Sequence, residues 1–149
     1  MAIYYLDTSA LVKLYVREAG SDVMVALASR SAGHQLTILS LAQIELRSAI
    51  RRRERNGDLP TLVAADLLSM FQIHLETKFT CQPVTDFLLD TAASLVDRHT
   101  LRAFDAIQLA GYVVMRLATG DQVPFFVCAD RELLAAAEGE GAPLLDLCS

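Results

Sequence analysis

The sequence predicts an α/β fold, a single domain in which a mostly parallel central sheet is flanked by helices on both faces. Short β-type runs alternate with stretches of helical periodicity along the whole chain, the pattern of strands joined by crossover helices. At 149 residues the chain is long enough to bury a substantial core without disulfides or a structural metal. Hydrophobic residues make up 53% of it and charged residues 21%, richer in apolar side chains than an average soluble domain, so some apolar surface is expected to cover a partner. No repeat, linker or low-complexity segment divides it.

The elements follow in order. Ile3 to Leu6 is a short strand, and a helix starts at about Ser9, where Leu11, Leu14 and Tyr15 recur at helical spacing. Thr8 and Ser9 are the expected caps of that helix. A second helix runs from Ser21 to Arg30, and Leu36 to Leu39 is a β-type run after the Gly33 loop. Ser40 is the expected cap of a third helix reaching Arg55 and ending at Asn56-Gly57; Pro60 then opens a fourth, which ends near Phe79. Thr80 to Val84 is a strand, Asp86 to Arg98 and Ala103 to Ala118 are helices, and Gly120-Asp121 turns the chain into a buried strand, Phe125 to Cys128. Asp130 opens a last helix through Ala137, and Gly139 to Pro143 leads to a final strand at Leu144 to Leu147.

Composition excludes several classes. No apolar run approaches the roughly 20 residues of a membrane span, and the start of the chain, where Asp7 follows a brief apolar run with no basic residues before it, is not a signal peptide. A cytoplasmic protein is expected. Cys81, Cys128 and Cys148 are odd in number and widely spaced; Cys81 and Cys128 lie in apolar, strand-like segments where a thiol acts as a small hydrophobe, and free thiols suit a reducing compartment. His34, His74 and His99 show none of the spacings of a zinc site and are expected at the surface or at caps. The net charge of -5 argues against a protein that coats nucleic acid through a broad positive surface, although it leaves room for a local basic groove.

Two acids sit where ligands bind in open parallel sheets: Asp7 and Asp130 each close or nearly close a strand at its carboxyl end. Two others lie inside apolar helical stripes, where an unpaired charge is costly. Glu45 has Leu41 and Ala49 four residues to either side, and Asp105 shares its face with Leu101, Leu109 and Tyr112. A divalent cation such as magnesium or manganese would neutralise such a set, and metal-assisted hydrolysis is the chemistry that follows. Structural readings stand beside this one. Asp105 could simply favour a helix dipole, Asp130 could be an N-cap, Asp7 could bond the next turn, and Glu45 could pair with Arg47. Asp58, Glu54, Asp86, Asp90 and Asp97 fall at helix starts, on polar faces or beside basic residues, and are structural.

These residues carry a resemblance. The runs Tyr5-Leu6-Asp7-Thr8-Ser9-Ala10-Leu11, Leu101-Arg102-Ala103-Phe104-Asp105-Ala106-Ile107-Gln108 and Val127-Cys128-Ala129-Asp130-Arg131-Glu132, with the isolated helical Glu45, resemble the PIN domain and, within it, the VapC-type toxins of toxin-antitoxin pairs. The resemblance covers nearly the whole chain, residues 1–149 as one nuclease domain. It implies a metal-binding and catalytic set of Asp7, Glu45, Asp105 and Asp130 with a helping hydroxyl on Ser9, and dependence on Mg2+ or Mn2+. It further implies endonucleolytic cleavage of RNA, inhibition by a VapB-like antitoxin protein, and a homodimer.

Arg47, Arg51, Arg52, Arg53 and Arg55, on or after the Glu45 helix, could contact phosphates, although arginines at a helix C-terminus, Arg52 and Arg53 above all, also complement its dipole. Arg102 and Arg131 lie beside the acids and are stronger substrate candidates. The two helices on either side of Asp58 are where an antitoxin or second subunit would use surplus apolar surface. A phosphatase with Asp7 as nucleophile is disfavoured, since the partner acid two residues on is replaced by Ser9. Dinucleotide and P-loop sites are disfavoured because no glycine-rich turn follows the first strand. The alternative is a nonhydrolytic PIN-like regulatory or binding module that keeps its acids as a structural ion site.

Overall fold

A computed structural model describes residues 1–148. Five strands, β1 (Ile3–Leu6), β2 (Gln35–Leu39), β3 (Phe79–Gln82), β4 (Phe125–Cys128) and β5 (Leu144–Asp146), form one sheet in the order β3-β2-β1-β4-β5. Every neighbouring pair is parallel, with Leu6 opposite both Ile38 and Val127. The α/β expectation therefore holds, with a wholly parallel sheet.

Seven helices cover it: α1 (Thr8–Leu11), α2 (Ser21–Leu27), α3 (Ala42–Arg55), α4 (Thr61–Thr77), α5 (Asp86–Arg98), α6 (Ala103–Ala118) and α7 (Arg131–Gly139). Period-two alternation along the strands splits the core into two layers. Leu6, Leu36, Ile38 and Val127 face α1 to α4, with Leu46, Ile50, Leu68 and Phe71 packed on them. Ile3, Tyr5, Leu39 and Phe126 face α5 to α7, against Leu88, Leu95, Leu109 and Tyr112. Both faces of β1 are thus buried, which is why Ile3 to Leu6 reads as a continuous apolar run.

The structure corrects several local expectations. Asp7, not Thr8 or Ser9, caps the first helix through its side chain, and that helix is one turn of α followed by a 3-10 turn at Val12–Leu14. There Lys13 turns inward, and its ammonium donates to Glu18 Oε1 at 3.1 Å and to the Ala19 carbonyl at 2.6 Å. The second helix stops at Leu27, and Arg30–Ala32 is a separate 3-10 turn ending in Gly33 with φ 68°. Ser40 makes no side-chain cap; Leu41 precedes α3 instead. Phe79 belongs to the third strand rather than to the helix before it, because its pairing with Leu36 starts the ladder there. The same shift ends β3 at Gln82 and leaves Cys81 exposed, contrary to the small-hydrophobe reading, while Cys128 is buried. His34 and His74 act as braces: the Ala2 N–H donates to His34 Nδ1, and the Tyr15 hydroxyl lies 2.6 Å from His74 Nδ1. His99 sits at the C-cap of α5, with Nε2 2.7 Å from Glu140.

Tyr5 reaches across the second layer to α6 at the one point where the helix has no side chain. A Cβ at Gly111 would collide with the Tyr5 hydroxyl and stand 2.9 Å from Leu39 Cδ1. Gly111→Ala is therefore expected to destabilise the fold by about 1–3 kcal/mol, the range for overpacking a tight core, as a lower urea midpoint at unchanged m-value.

Candidate active site

The strand order reverses on either side of β1, and β1 and β4 end side by side at this switch point, where parallel sheets open a crevice beyond their carboxyl ends. The Asp7 N–H donates to the Val127 carbonyl at 3.0 Å, so the last ladder bond fixes Asp7 at the crevice floor. Its side chain is 5% exposed. Asp7 Oδ2 accepts from the Ser9 hydroxyl at 2.6 Å and from the Ser9 N–H at 3.2 Å. Ser9 Oγ in turn accepts from the Ala129 N–H at 2.9 Å, tying the start of α1 to the end of β4.

Burial pushes the Asp7 carboxyl up from 3.8 to about 6, against the lowering effect of the Ser9 hydrogen bonds and with the Glu45 charge adding to the rise. Cys128, with Sγ 3.5 Å from Asp7 Oδ2, is held far above the ordinary thiol range by burial and by Asp7. That thiol stays protonated and cannot serve as a nucleophile at neutral pH.

Glu45 comes from the first turn of α3 and turns inward, as its apolar stripe predicts. Its partners are neutral, not Arg47. Oε1 accepts from Gln108 Nε2 at 2.8 Å and from the Thr8 hydroxyl at 3.1 Å, and Oε2 has no donor among the described residues. Gln108 also donates to Thr8 Oγ1 at 2.9 Å. Its main-chain carbonyl accepts from the buried Tyr5 hydroxyl at 2.7 Å. A continuous chain of hydrogen bonds thus links the sheet, α6, α1 and α3 beneath the acids.

Asp105 lies in the first turn of α6, half-buried, and its carboxyl is raised by burial, then by the charges of Asp130 and Glu45, with Arg102 opposing them. Asp130 is the N-cap of α7, its Oδ1 accepting from the Glu132 and Leu133 N–H groups at 3.0 and 3.1 Å. The cap reading is therefore correct: one oxygen holds the helix, and Oδ2 has no donor among the described residues. The four acids lie toward one end of the sheet, Glu45 near enough for its charge to raise Asp7, and Glu45 and Asp130 near enough to raise Asp105.

None of the four forms an ion pair among the described residues. Nor do three His, Cys, Asp or Glu side chains there form a ready-made coordination group. A buried carboxylate without a cation, mutual repulsion, spare carboxylate oxygens and purely oxygen donors suit a hard dication. They suit magnesium or manganese in particular, which are held by one or two carboxylates and otherwise by water and substrate phosphate.

Sequence reasoning missed Gln108 as a site residue and Tyr5 as its support, and it read Thr8 chiefly as a cap. Gln108 carried a readable signal, being a long polar side chain three residues after Asp105 among Ala106, Leu109 and Ala110, and it is fully buried. The arginines separate too. Arg51 pairs with Glu54 at 3.0 Å and Arg53 with Glu18 at 2.8 Å, leaving them structural, whereas Arg52 lies on the same pocket wall as Glu45.

The PIN domain family matches residues 4–111. Two curated relatives from Mycobacterium tuberculosis, ribonuclease VapC45 of strain CDC 1551 and ribonuclease VapC49 of strain H37Rv, are each 33% identical over 144 residues. In both cases that is 95% of this chain and 93% of the relative. Among solved structures, PAE2754 from Pyrobaculum aerophilum aligns with a TM-score of 0.63 at 25% identity, covering 98% of this chain and 90% of that one. VapBC2 from Rickettsia felis, solved bound to a fragment of its promoter DNA, aligns at 0.66 with 12% identity and 97% and 98% coverage, a likeness of fold alone. The fold, the family match and the identity to these relatives agree, and the chain belongs to the PIN domain family.

Proposed function

We propose that this chain is an endoribonuclease toxin of the VapC type that hydrolyses RNA phosphodiesters with a divalent cation, Mg2+ or Mn2+, held by Asp7, Glu45, Asp105 and Asp130. The observation that carries the reading is the convergence of four acids without a cationic partner at the switch point of the sheet. The relatives' name, ribonuclease VapC, supplies the activity and substrate class. When bound, the cation would activate water and offset charge on the attacked phosphodiester. The chain's own residues do the rest. Ser9 fixes Asp7, Thr8 and Gln108 fix Glu45 with Oε2 left over, and the α7 N-terminus fixes Asp130 with Oδ2 left over. Arg102, the residue preceding α6, and Arg131, at the start of α7, supply positive charge to the RNA phosphates beside these acids.

The partners belong to the same reading. Leu62, Val63, Met70 and Ile73 leave exposed apolar surface on α4 for a VapB-like antitoxin, and homodimerisation would cover further surface. Among the described residues no helix is long and apolar enough to cross a membrane, and action on cellular RNA calls for the cytoplasm.

Cleavage of RNA by the purified chain should require Mg2+ or Mn2+ and stop in chelator. Asp7→Asn and Asp105→Asn should each lower kcat/KM by on the order of 100-fold or more. Metal-independent cleavage, or full activity in both variants, refutes the mechanism.

Asp7 also makes a stability prediction. Its folded pKa of about 6 exceeds the ordinary 3.8, so the folded protein binds the extra proton between those values. The metal-free fold therefore loses stability as pH rises from about 4 to 6, by about 2–3 kcal/mol in all. In chelator, Asp7→Asn should be more stable than the parent at pH 7.5, with the difference shrinking toward pH 4. Added Mg2+ should raise the Tm of the parent and not of the variant.

Asp130→Asn separates cap from ligand, since asparagine caps as well as aspartate. Unfolding free energy should stay within about 0.5 kcal/mol. Cleavage at limiting Mg2+ should drop about tenfold or more. An unchanged Mg2+ dependence would make Asp130 a cap alone.

A further inference from the structure

A second feature adjoins the acids. Leu41, Ile44, Glu45, Ala49 and Arg52 of the α3 region and Phe104 of α6 line a cavity of about 360 Å3, together with Thr8. Glu45 and Thr8 line this cavity and also belong to the hydrogen-bond chain beneath the acids, so the cavity adjoins the candidate site. Phe104 is 62% exposed and Ile44 66% exposed. Neither builds the core, and large apolar side chains left in water at the lip of a charged crevice point to a ligand with an apolar face. Along α3, Leu41, Glu45, Ser48, Ala49 and Arg52 share one stripe, which sets the guanidinium about two turns from the carboxylate. Arg52 has no ion pair among the described residues, unlike its neighbours Arg51 and Arg53.

We propose that this cavity is the subsite for one unpaired nucleotide of single-stranded RNA next to the scissile phosphate, its base stacked on Phe104 against Ile44 and Leu41 and its phosphate held by Arg52. The proposal rests on the ribonuclease reading. Stacking on an exposed aromatic ring is how proteins hold splayed single-stranded bases, and a cation at the far rim matches the repeating charge of the backbone. The size suits one nucleoside. The apolar floor with a single cation at one end also complements a base joined to a phosphate better than it does a uniformly apolar helix face.

The chain contains no tryptophan, so Phe104→Trp places a single reporter in the cavity. In the Asp105→Asn background with Mg2+, the Phe104→Trp protein is titrated with a dye-labelled single-stranded RNA that the parent chain cuts. Binding is followed by anisotropy and base contact by tryptophan emission. The subsite requires emission to be quenched with the same midpoint as the anisotropy change. An abasic nucleotide at one position flanking the cleaved bond should abolish the quench and weaken binding roughly tenfold. In the otherwise unaltered chain, Phe104→Ala should raise KM by a similar factor with kcat within a few-fold, and Phe104→Tyr should restore it. Arg52→Gln should reduce the salt dependence of binding by about 0.7 in the log–log slope.

Binding without quench, or a Phe104→Ala chain that cuts with unchanged KM and nucleotide preference, overturns the subsite and leaves the nuclease standing. If Phe104→Ala cuts normally but escapes a co-expressed antitoxin, the cavity belongs to a protein segment and the subsite is wrong. RNA neither bound nor cut by the parent chain overturns the ribonuclease reading, and the subsite with it.

Discussion

The Asp7 carboxylate is buried at the carboxyl end of the central strand with a hydroxyl and an amide for company and no cation. Its surroundings are organised around that arrangement. Ser9 donates to Asp7 and accepts from Ala129, which ties the way α1 leaves β1 to the way the chain leaves β4. The same two strand ends are joined by the bond from the Asp7 N–H to the Val127 carbonyl. The geometry that places Asp130 near Asp105 therefore follows from satisfying one desolvated carboxylate.

The cost of that arrangement is carried by the rest of the fold. A buried acid whose charged form is disfavoured by burial is a destabilising element in a metal-free chain, and perturbed carboxyls of this kind gather where chemistry is done. Beneath it, the Tyr5, Gln108, Thr8 and Glu45 chain spans both helical layers, and a chain in which each member is bonded keeps its geometry where a half-satisfied one would be soft. Gly111 serves the same end from the opposite side. The Tyr5 hydroxyl reaches the Gln108 carbonyl only because α6 presents no Cβ there.

Much of this was legible in the sequence because the relevant signals are local. Burial of both strand faces gives unbroken apolar runs, and acids inside helical stripes at Glu45 and Asp105 stand out against Leu41, Ala49, Leu101 and Leu109. What the sequence did not disclose depends on distance in space. That Glu45 is held by Gln108 rather than by Arg47 requires α3 and α6 to meet above β1, and the two residues are 63 positions apart. The fourth helix reads as ending near Phe79, and it is the ladder with Leu36, a pairing across 43 positions, that takes Phe79 into a strand. Ser40 has a preferred cap chemistry, yet the turn into α3 starts one residue later and its hydroxyl is not used.

Net charge illustrates the same division between composition and place. At -5 the chain is acidic overall, which would seem to disfavour a polyanionic substrate. Ion pairing leaves that sum unchanged and decides only which cations stay free: Glu18 takes Lys13 and Arg53, Glu54 takes Arg51, and Glu140 takes Arg98. Among the described residues Arg52, Arg102 and Arg131 are left out of such pairs, and all three flank the end of the sheet where the acids converge. On the proposed reading, a phosphodiester approaching that end finds arginines beside the carboxylates. On the same reading, a dication between phosphodiester and carboxylates would offset the repulsion between these oxyanions. The chain's excess negative charge is therefore no argument against an RNA substrate, because what governs the encounter is where the charges lie and not their sum.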